Sequence, residues 1–352
     1  MKKCIALFLA MILAFGLVAC GSTEAPAEET VSSGETVAEE TPAAEEEAPV
    51  EEETPVEEAP AEEPAPEFVT VKAVNGASEE IEVEVPYDPQ SIVTLDAASL
   101  DMLANLGLAD RVVGCTTPEA YLEEYVPNAA NVGSAKTFDV EAIMELQPDV
   151  IFMAGRGSDY YDTLLEIAPV VRLTVSGAVV EGTYANAVKI ASIFGLEEEM
   201  EAKLGAYDER IAAIQALSEG KTAIVGMCTG GSFNLLGNDG RCSIIGNELG
   251  FENIGVDADV DTSTHGNEAS FEFVVQAAPD YIFVLDRDKA TNADGAQLAK
   301  DIMENELVMG TEAYQNGNLI IMENAGVWYK AEGGFTALGI MLADLEAALG
   351  LN

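Results

Sequence analysis

Residues 138–156 and 269–287 carry one pattern twice, at an offset of 131 residues. No other feature constrains the fold of this chain as tightly. FDVEAIMELQPDVIFMAGR aligns without a gap on ASFEFVVQAAPDYIFVLDR, and Glu141/Glu272, Pro148/Pro279, Asp149/Asp280, Ile151/Ile282, Phe152/Phe283 and Arg156/Arg287 are identical pairs. A repeat of this length predicts two related lobes. Each copy reads as a short amphipathic helix, a Pro-Asp break, an apolar run suited to a buried parallel strand, and an Arg where the strand ends. In open α/β sheets ligands collect beyond the carboxyl ends of the strands, so Arg156 and Arg287 are expected to face a ligand cleft between the lobes.

The ends of the chain are of a different kind. Lys2 and Lys3 precede an apolar run from Ile5 to Val18, which is too short for a confident span and reads as a secretory leader over residues 1–19. The junction Leu17-Val18-Ala19-Cys20-Gly21 resembles a bacterial lipobox. On that resemblance Cys20 is lipidated and begins the mature chain, tethering it to a membrane that it does not span. An uncleaved anchor with an ordinary cysteine is the alternative.

Residues 20–67 then form the lipidated Cys and an acidic tether. Gly21 to Glu67 contains seventeen Glu and no Lys or Arg, so it cannot bury enough apolar surface to offset chain entropy and is expected to be disordered. Its contour would be on the order of 140 Å at roughly 3 Å per residue.

The remainder is long enough for two cores: an N-terminal α/β lobe over 68–196, a connecting helix over 197–218 and a C-terminal α/β lobe over 219–352. After an edge hairpin (69–74 and 81–85), strand and helix signals alternate. Strands are expected at 92–95, 111–114, 150–153 and 170–173, and again at 223–227, 233–236 and 319–322, with a closing helix at 334–349. The expected fold class is therefore α/β, with two Rossmann-like lobes containing parallel sheets. A long rigid helix joins the lobes, which limits closure to a small tilt.

A formal net charge of −47 excludes nucleic acid as a partner. Cys115, Cys228 and Cys242 lie in the folded part, where Cys228 and Cys242 could pair across a hairpin or stay as thiols. Nothing points to an enzyme: there is no Gly-x-Ser-x-Gly elbow, no zinc-protease His pair, and His265 is the one histidine.

The lipobox, the duplicated Glu…Pro-Asp…strand element, the helical link and Ser263-Thr264-His265-Gly266 leading into Ser270-Phe271-Glu272-Phe273 together resemble the substrate-binding lipoproteins of bacterial ABC importers for ferric siderophores. The resemblance runs from Tyr87 to Leu349 and is closest to the catecholate branch, which includes petrobactin- and enterobactin-type binders.

It implies an extracytoplasmic monomer anchored through Cys20. Such a protein has no intrinsic cofactor, captures an anionic Fe(III)-siderophore and delivers it to an ABC permease dimer with its ATPase. The chain has only six arginines, and in the resembling branch those at the positions of Arg156, Arg241 and Arg287 line the cleft. Guanidinium groups hold their charge and offer a fixed fork of donors to an anion.

The same resemblance makes His265 and Tyr329 candidate Fe(III) ligands, filling the two positions that a tetradentate siderophore leaves open, or else packing groups against the complex. Trp328 is a candidate for stacking on a catechol ring or an Arg, or else a structural aromatic. Tyr160 and Tyr161 could add aromatic wall. Glu141 and Glu272 correspond to glutamates that dock onto permease arginines, although a carboxylate at a helix start also complements the macrodipole unaided. Haem or cobalamin binders of the same fold, and a surface adhesion or sensory module, are the competing readings.

Overall fold

The computed structural model describes residues 65–175, 178–255 and 267–351, all within the compact unit Glu62–Asn352. Cys20, residues 21–64 of the acidic tether and His265 lie outside the described residues.

The chain opens on an antiparallel hairpin, β1 (Phe68–Val74) and β2 (Glu80–Pro86). The N-terminal lobe is a five-stranded parallel sheet of β3 (Ile92–Thr94), β4 (Val112–Cys115), β5 (Ala130–Asn131), β6 (Val150–Met153) and β7 (Val170–Arg172) in the order β5-β4-β3-β6-β7. All residues of β3, β6 and β7 are buried, as expected of strands covered on both faces. Helix α1 (Ala97–Asn105) follows β3, with Asp96 accepting from the Ser99 amide as its N-cap. Helix α2 (Val140–Leu146) precedes β6.

The C-terminal lobe repeats this plan with β8 (Thr222–Thr229), β9 (Ser232–Leu235), β10 (Asn267–Glu268), β11 (Tyr281–Asp286) and β12 (Leu319–Ile321), in the order β10-β9-β8-β11-β12. Here the sheet is mixed. β8, β11 and β12 are parallel, but β9 returns antiparallel on β8 and β10 on β9. The cause is local: Gly230 and Gly231 hold φ of 58° and 83°, the left-handed pair that a two-residue hairpin turn requires.

The duplication is reproduced residue for residue. β3 pairs β6 through Ile92↔Val150, and β8 pairs β11 through Ala223↔Tyr281, each partner displaced by the same 131 residues. Helices α2 and α6 (Phe271–Ala277) are capped by Asp139 and Ser270, and both end in a left-handed residue, Gln147 or Ala278, ahead of the Pro. Proline disfavours the helical conformation in the residue before it, so the helix must stop there. The following aspartates act alike: Asp149 Oδ2 accepts from the Gln90 and Ser91 amides, and Asp280 Oδ2 from the Thr222 amide and hydroxyl. Each fixes the start of the neighbouring central strand.

The link between lobes differs from the expected long helix. It consists of α3 (Val179–Ser192), α4 (Glu197–Leu204), a 3-10 turn at Gly205–Tyr207 and α5 (Asp208–Ser218). Gly195, at φ 67°, turns the chain between α3 and α4, where a Cβ would meet the Tyr87 hydroxyl. Stiffness comes instead from contacts that cross the lobes. Asp101 on α1, fully buried, accepts from the Thr336 and Ala337 amides at the start of α7 (Phe335–Leu349) and from the Asn105 side chain. Glu248 accepts from the Val179, Val180 and Glu181 amides at the start of α3. Arg210 on α5 meets Glu346 on α7 through two bonds of 2.7 Å.

No helix among the described residues is long and apolar enough to cross a membrane. Replacing Asp101 with Ala strands buried amides at the start of α7, and is expected to lower stability by about 3 kcal/mol, read from the midpoint of urea unfolding.

Candidate functional site

Of the six arginines, three serve the scaffold: Arg111 pairs with Asp88, Arg172 is buried and donates to the Ala154 carbonyl, and Arg210 holds Glu346. The other three meet at one side chain. Arg156 from the N-terminal lobe and Arg241 and Arg287 from the C-terminal lobe lie 5.7, 4.2 and 5.7 Å from the ring centroid of Tyr329.

Arg156 Nη2 and Arg241 Nε both donate to the Tyr329 carbonyl, at 3.1 and 3.2 Å, and Arg287 Nε donates to its hydroxyl at 3.2 Å. Arg156 follows β6 by three residues, Arg287 follows β11 directly, and Arg241 sits in the loop beyond β9. Strand ends of both lobes therefore deliver positive charge to one point.

A cavity of about 600 Å³ opens at this cluster, lined from the N-terminal lobe by Asp96, Thr116, Glu119 and Arg156 and from the C-terminal lobe by Arg241, Tyr329 and Glu332. Arg287 lies behind the Tyr329 hydroxyl, held also by the Thr229 hydroxyl at 3.0 Å and by Asp288. It acts on the cavity through Tyr329. Lys330 bridges to Glu119 across the lobes at 2.9 Å. A second hollow, about 950 Å³ between α3, α4 and α5, contains no arginine among its lining residues.

The electrostatics of the cluster follow from crowding. Burial, and then the charge of Arg241, lower the pKa of Arg156. For Tyr329 burial raises the phenol, but the Arg287 hydrogen bond and the three guanidinium charges outweigh it and hold the group below the ordinary tyrosine value. The arrangement favours a phenolate and, beyond it, a multiply charged anion that would relieve the repulsion among the arginines.

Glu332 is the counter-example. Burial pushes its carboxyl up to about 7 against the nearby Arg241 charge and a bond from the Cys242 amide, and its Oε1 is buried with no hydrogen-bond partner.

Several expectations and open alternatives are decided here. Trp328 does not reach the cavity; it is fully buried, with its indole N–H donating to Asp344 at 2.9 Å. Within the π-helical turn Val327–Ala331, Trp328 faces the core and its neighbour Tyr329 the cleft. Tyr161 is buried and Tyr160 packs on Phe138 at 5.0 Å, so neither forms cavity wall. Cys115, Cys228 and Cys242 are buried free thiols, with no bond between Cys228 and Cys242.

Glu141 and Glu272 are not among the residues lining the cavity. Both are exposed at the second residue of their helices. Sequence reasoning missed Glu119, Lys330 and Glu332, which belong to no repeated motif. The described residues hold no group of three or more His, Cys, Asp or Glu placed to bind a metal.

Residues 92–325 match the family described as periplasmic binding protein. The petrobactin-binding protein YclQ of Bacillus subtilis (strain 168) is 32% identical over 274 residues, 76% of this chain and 84% of YclQ. Its crystal structure superposes with a TM-score of 0.72 at 30% identity, over 81% of this chain and 99% of that one. The iron uptake ABC transporter substrate-binding protein PiuA of Streptococcus pneumoniae gives a TM-score of 0.73 at 32% identity, over 81% and 99%. The periplasmic catecholate-siderophore binding protein VctP of Vibrio cholerae gives 0.71 at 27%, over 79% and 100%.

The electrostatics of Tyr329 can be read directly. In an alkaline titration, the difference between wild type and Tyr329→Phe is expected to show a phenolate band rising below pH 10, the free tyrosine value. Adding Arg241→Ala should move that band to higher pH; a band at or above pH 10 in the wild type would contradict the charge balance described.

Proposed function

The chain belongs to the periplasmic binding protein family, and from that premise we propose that it is an extracytoplasmic binding protein that captures an anionic ferric siderophore of the catecholate class and hands it to an ABC permease. The observation that carries this reading is the convergence of Arg156, Arg241 and Arg287, from two lobes, on Tyr329 at a 600 Å³ cavity. Three guanidinium groups in an otherwise acidic protein suit a ligand whose negative charge is spread over several oxygens.

Two relatives carry names that support this ligand class: YclQ is a petrobactin-binding and VctP a catecholate-siderophore binding protein. Fe(III) arrives here as cargo, inside its chelate. Tyr329, biased toward the phenolate by its arginines, is suited to complete the coordination of a tetradentate chelate, and His265 is its proposed companion. The protein performs no catalysis in this reading. It works as a monomer anchored at a lipidated Cys20, with residues 21–67 as tether.

Glu141 and Glu272 are the proposed docking residues. A helix joined to the next strand by a tight turn runs antiparallel to it, so both glutamates lie at the sheet edges where the arginines emerge. They are repeat-equivalent, which matches a permease built from two like halves.

Two measurements test these assignments. Trp328 is the sole tryptophan and lies next to Tyr329, so its emission should be quenched by a ferric catecholate in the cleft through energy transfer. Saturable quenching by ferric bis- and tris-catecholates, weakened at least about tenfold by Arg156→Ala, is expected; binding of haem or cobalamin alone would replace the ligand class. Glu141→Ala with Glu272→Ala should abolish iron uptake in cells and leave that titration unchanged, and a loss of affinity would overturn the docking role.

A further inference from the structure

Four carboxylates line the cavity, and three of them are accounted for. Asp96 caps α1, accepting from the Ser99 amide at 2.9 Å and the Ser99 hydroxyl at 2.8 Å. Glu119 holds Lys330 at 2.9 Å. Asp239 is exposed to water. Glu332 remains, with one oxygen buried and unpartnered beside the arginine cluster.

A buried carboxylate oxygen without a donor is costly, and a polyanion brought up beside it adds repulsion. An anion site gains nothing from such a residue unless the ligand itself supplies the donor. We infer that Glu332 is a specificity-determining residue that selects, among anionic ferric chelates, those whose scaffold carries an N–H donor, a protonated amine above all. This rests on the ferric-chelate reading of the cavity. The site would thus read two features at once: chelate oxygens at Arg156 and Arg241, and an ammonium or amide N–H at Glu332. Where Glu332 is ionised, above the value of about 7 to which burial pushes it, a chelate with charge but no donor meets the arginines and is opposed by the carboxylate.

The test compares two ferric complexes on the same protein, one of free 2,3-dihydroxybenzoate, which has no N–H, and one of two dihydroxybenzoyl groups joined by a linear polyamine with a free secondary amine. Measured above the value of about 7 to which burial pushes Glu332, so that its carboxylate is charged, wild type is expected to prefer the amine-bearing complex. Glu332→Gln, which keeps shape and removes the charge, should lower affinity for that complex about tenfold and raise affinity for the donor-free one, so the two responses cross.

Using both probes on one variant separates recognition from any loss of folded protein, which would weaken both together. Arg156→Ala should weaken both. Equal responses of the two complexes to Glu332→Gln, or no preference in the wild type, would overturn the role of Glu332 and leave the ferric-chelate reading standing. Failure of the wild type to bind either complex would overturn that reading and this inference with it.

Discussion

The cleft depends on a carboxylate that never touches it. Asp101 belongs to a helix of the N-terminal lobe, yet its oxygens serve as the cap of α7 in the C-terminal lobe. Because an uncapped helix start leaves several amides without partners, this one buried group ties the two lobes together. Glu248 does the same in the other direction, closing the first turn of α3. With both in place the distance between Arg156 and the C-terminal arginines is set by the scaffold, before any ligand arrives. That is preorganisation in a literal sense: the charges are already crowded, and the free energy of crowding is released when an anion enters.

Duplication explains why there are two strand-end arginines, and its imperfection explains what they do. β11 runs to Asp286, so Arg287 emerges directly from the strand and is drawn back behind the Tyr329 hydroxyl. β6 stops at Met153, and Ala154-Gly155 carries Arg156 further out to the cavity wall. One copy therefore contacts the ligand space and the other tunes Tyr329. Arg241 has no counterpart in the first lobe. It depends on the β8–β9 hairpin, made possible by Gly230-Gly231, which the N-terminal lobe lacks.

Much of this was legible in the sequence because the relevant signals are local and repeated. The Pro-Asp break and the apolar run placed β6 and β11 and their arginines. What escaped depends on contacts distant in the chain. A stretch of helical periodicity across 197–218 could not show that a 3-10 turn at Gly205–Tyr207 interrupts it, nor that buried carboxylates add to the rigidity assigned to one long helix. Trp328 and Tyr329 are neighbours with similar propensities, and which of them faces the core is decided by how their short helical turn docks between the lobes. Glu332 reads as one more acid in a very acidic chain, and its burial beside Arg241 is a property of packing alone.

The central claim is that a single anionic chelate sits between Arg156, Arg241 and Tyr329, gripped by both lobes. Anomalous diffraction at the iron edge, from crystals grown with a ferric bis-catecholate, locates the metal without reference to any assumed contact. The account predicts one iron peak inside the 600 Å³ cavity, with chelate oxygens within hydrogen-bond distance of the Arg156 and Arg241 guanidinium groups. Iron in the hollow between α3, α4 and α5, or iron held by one lobe with the arginine cluster unengaged, would contradict it.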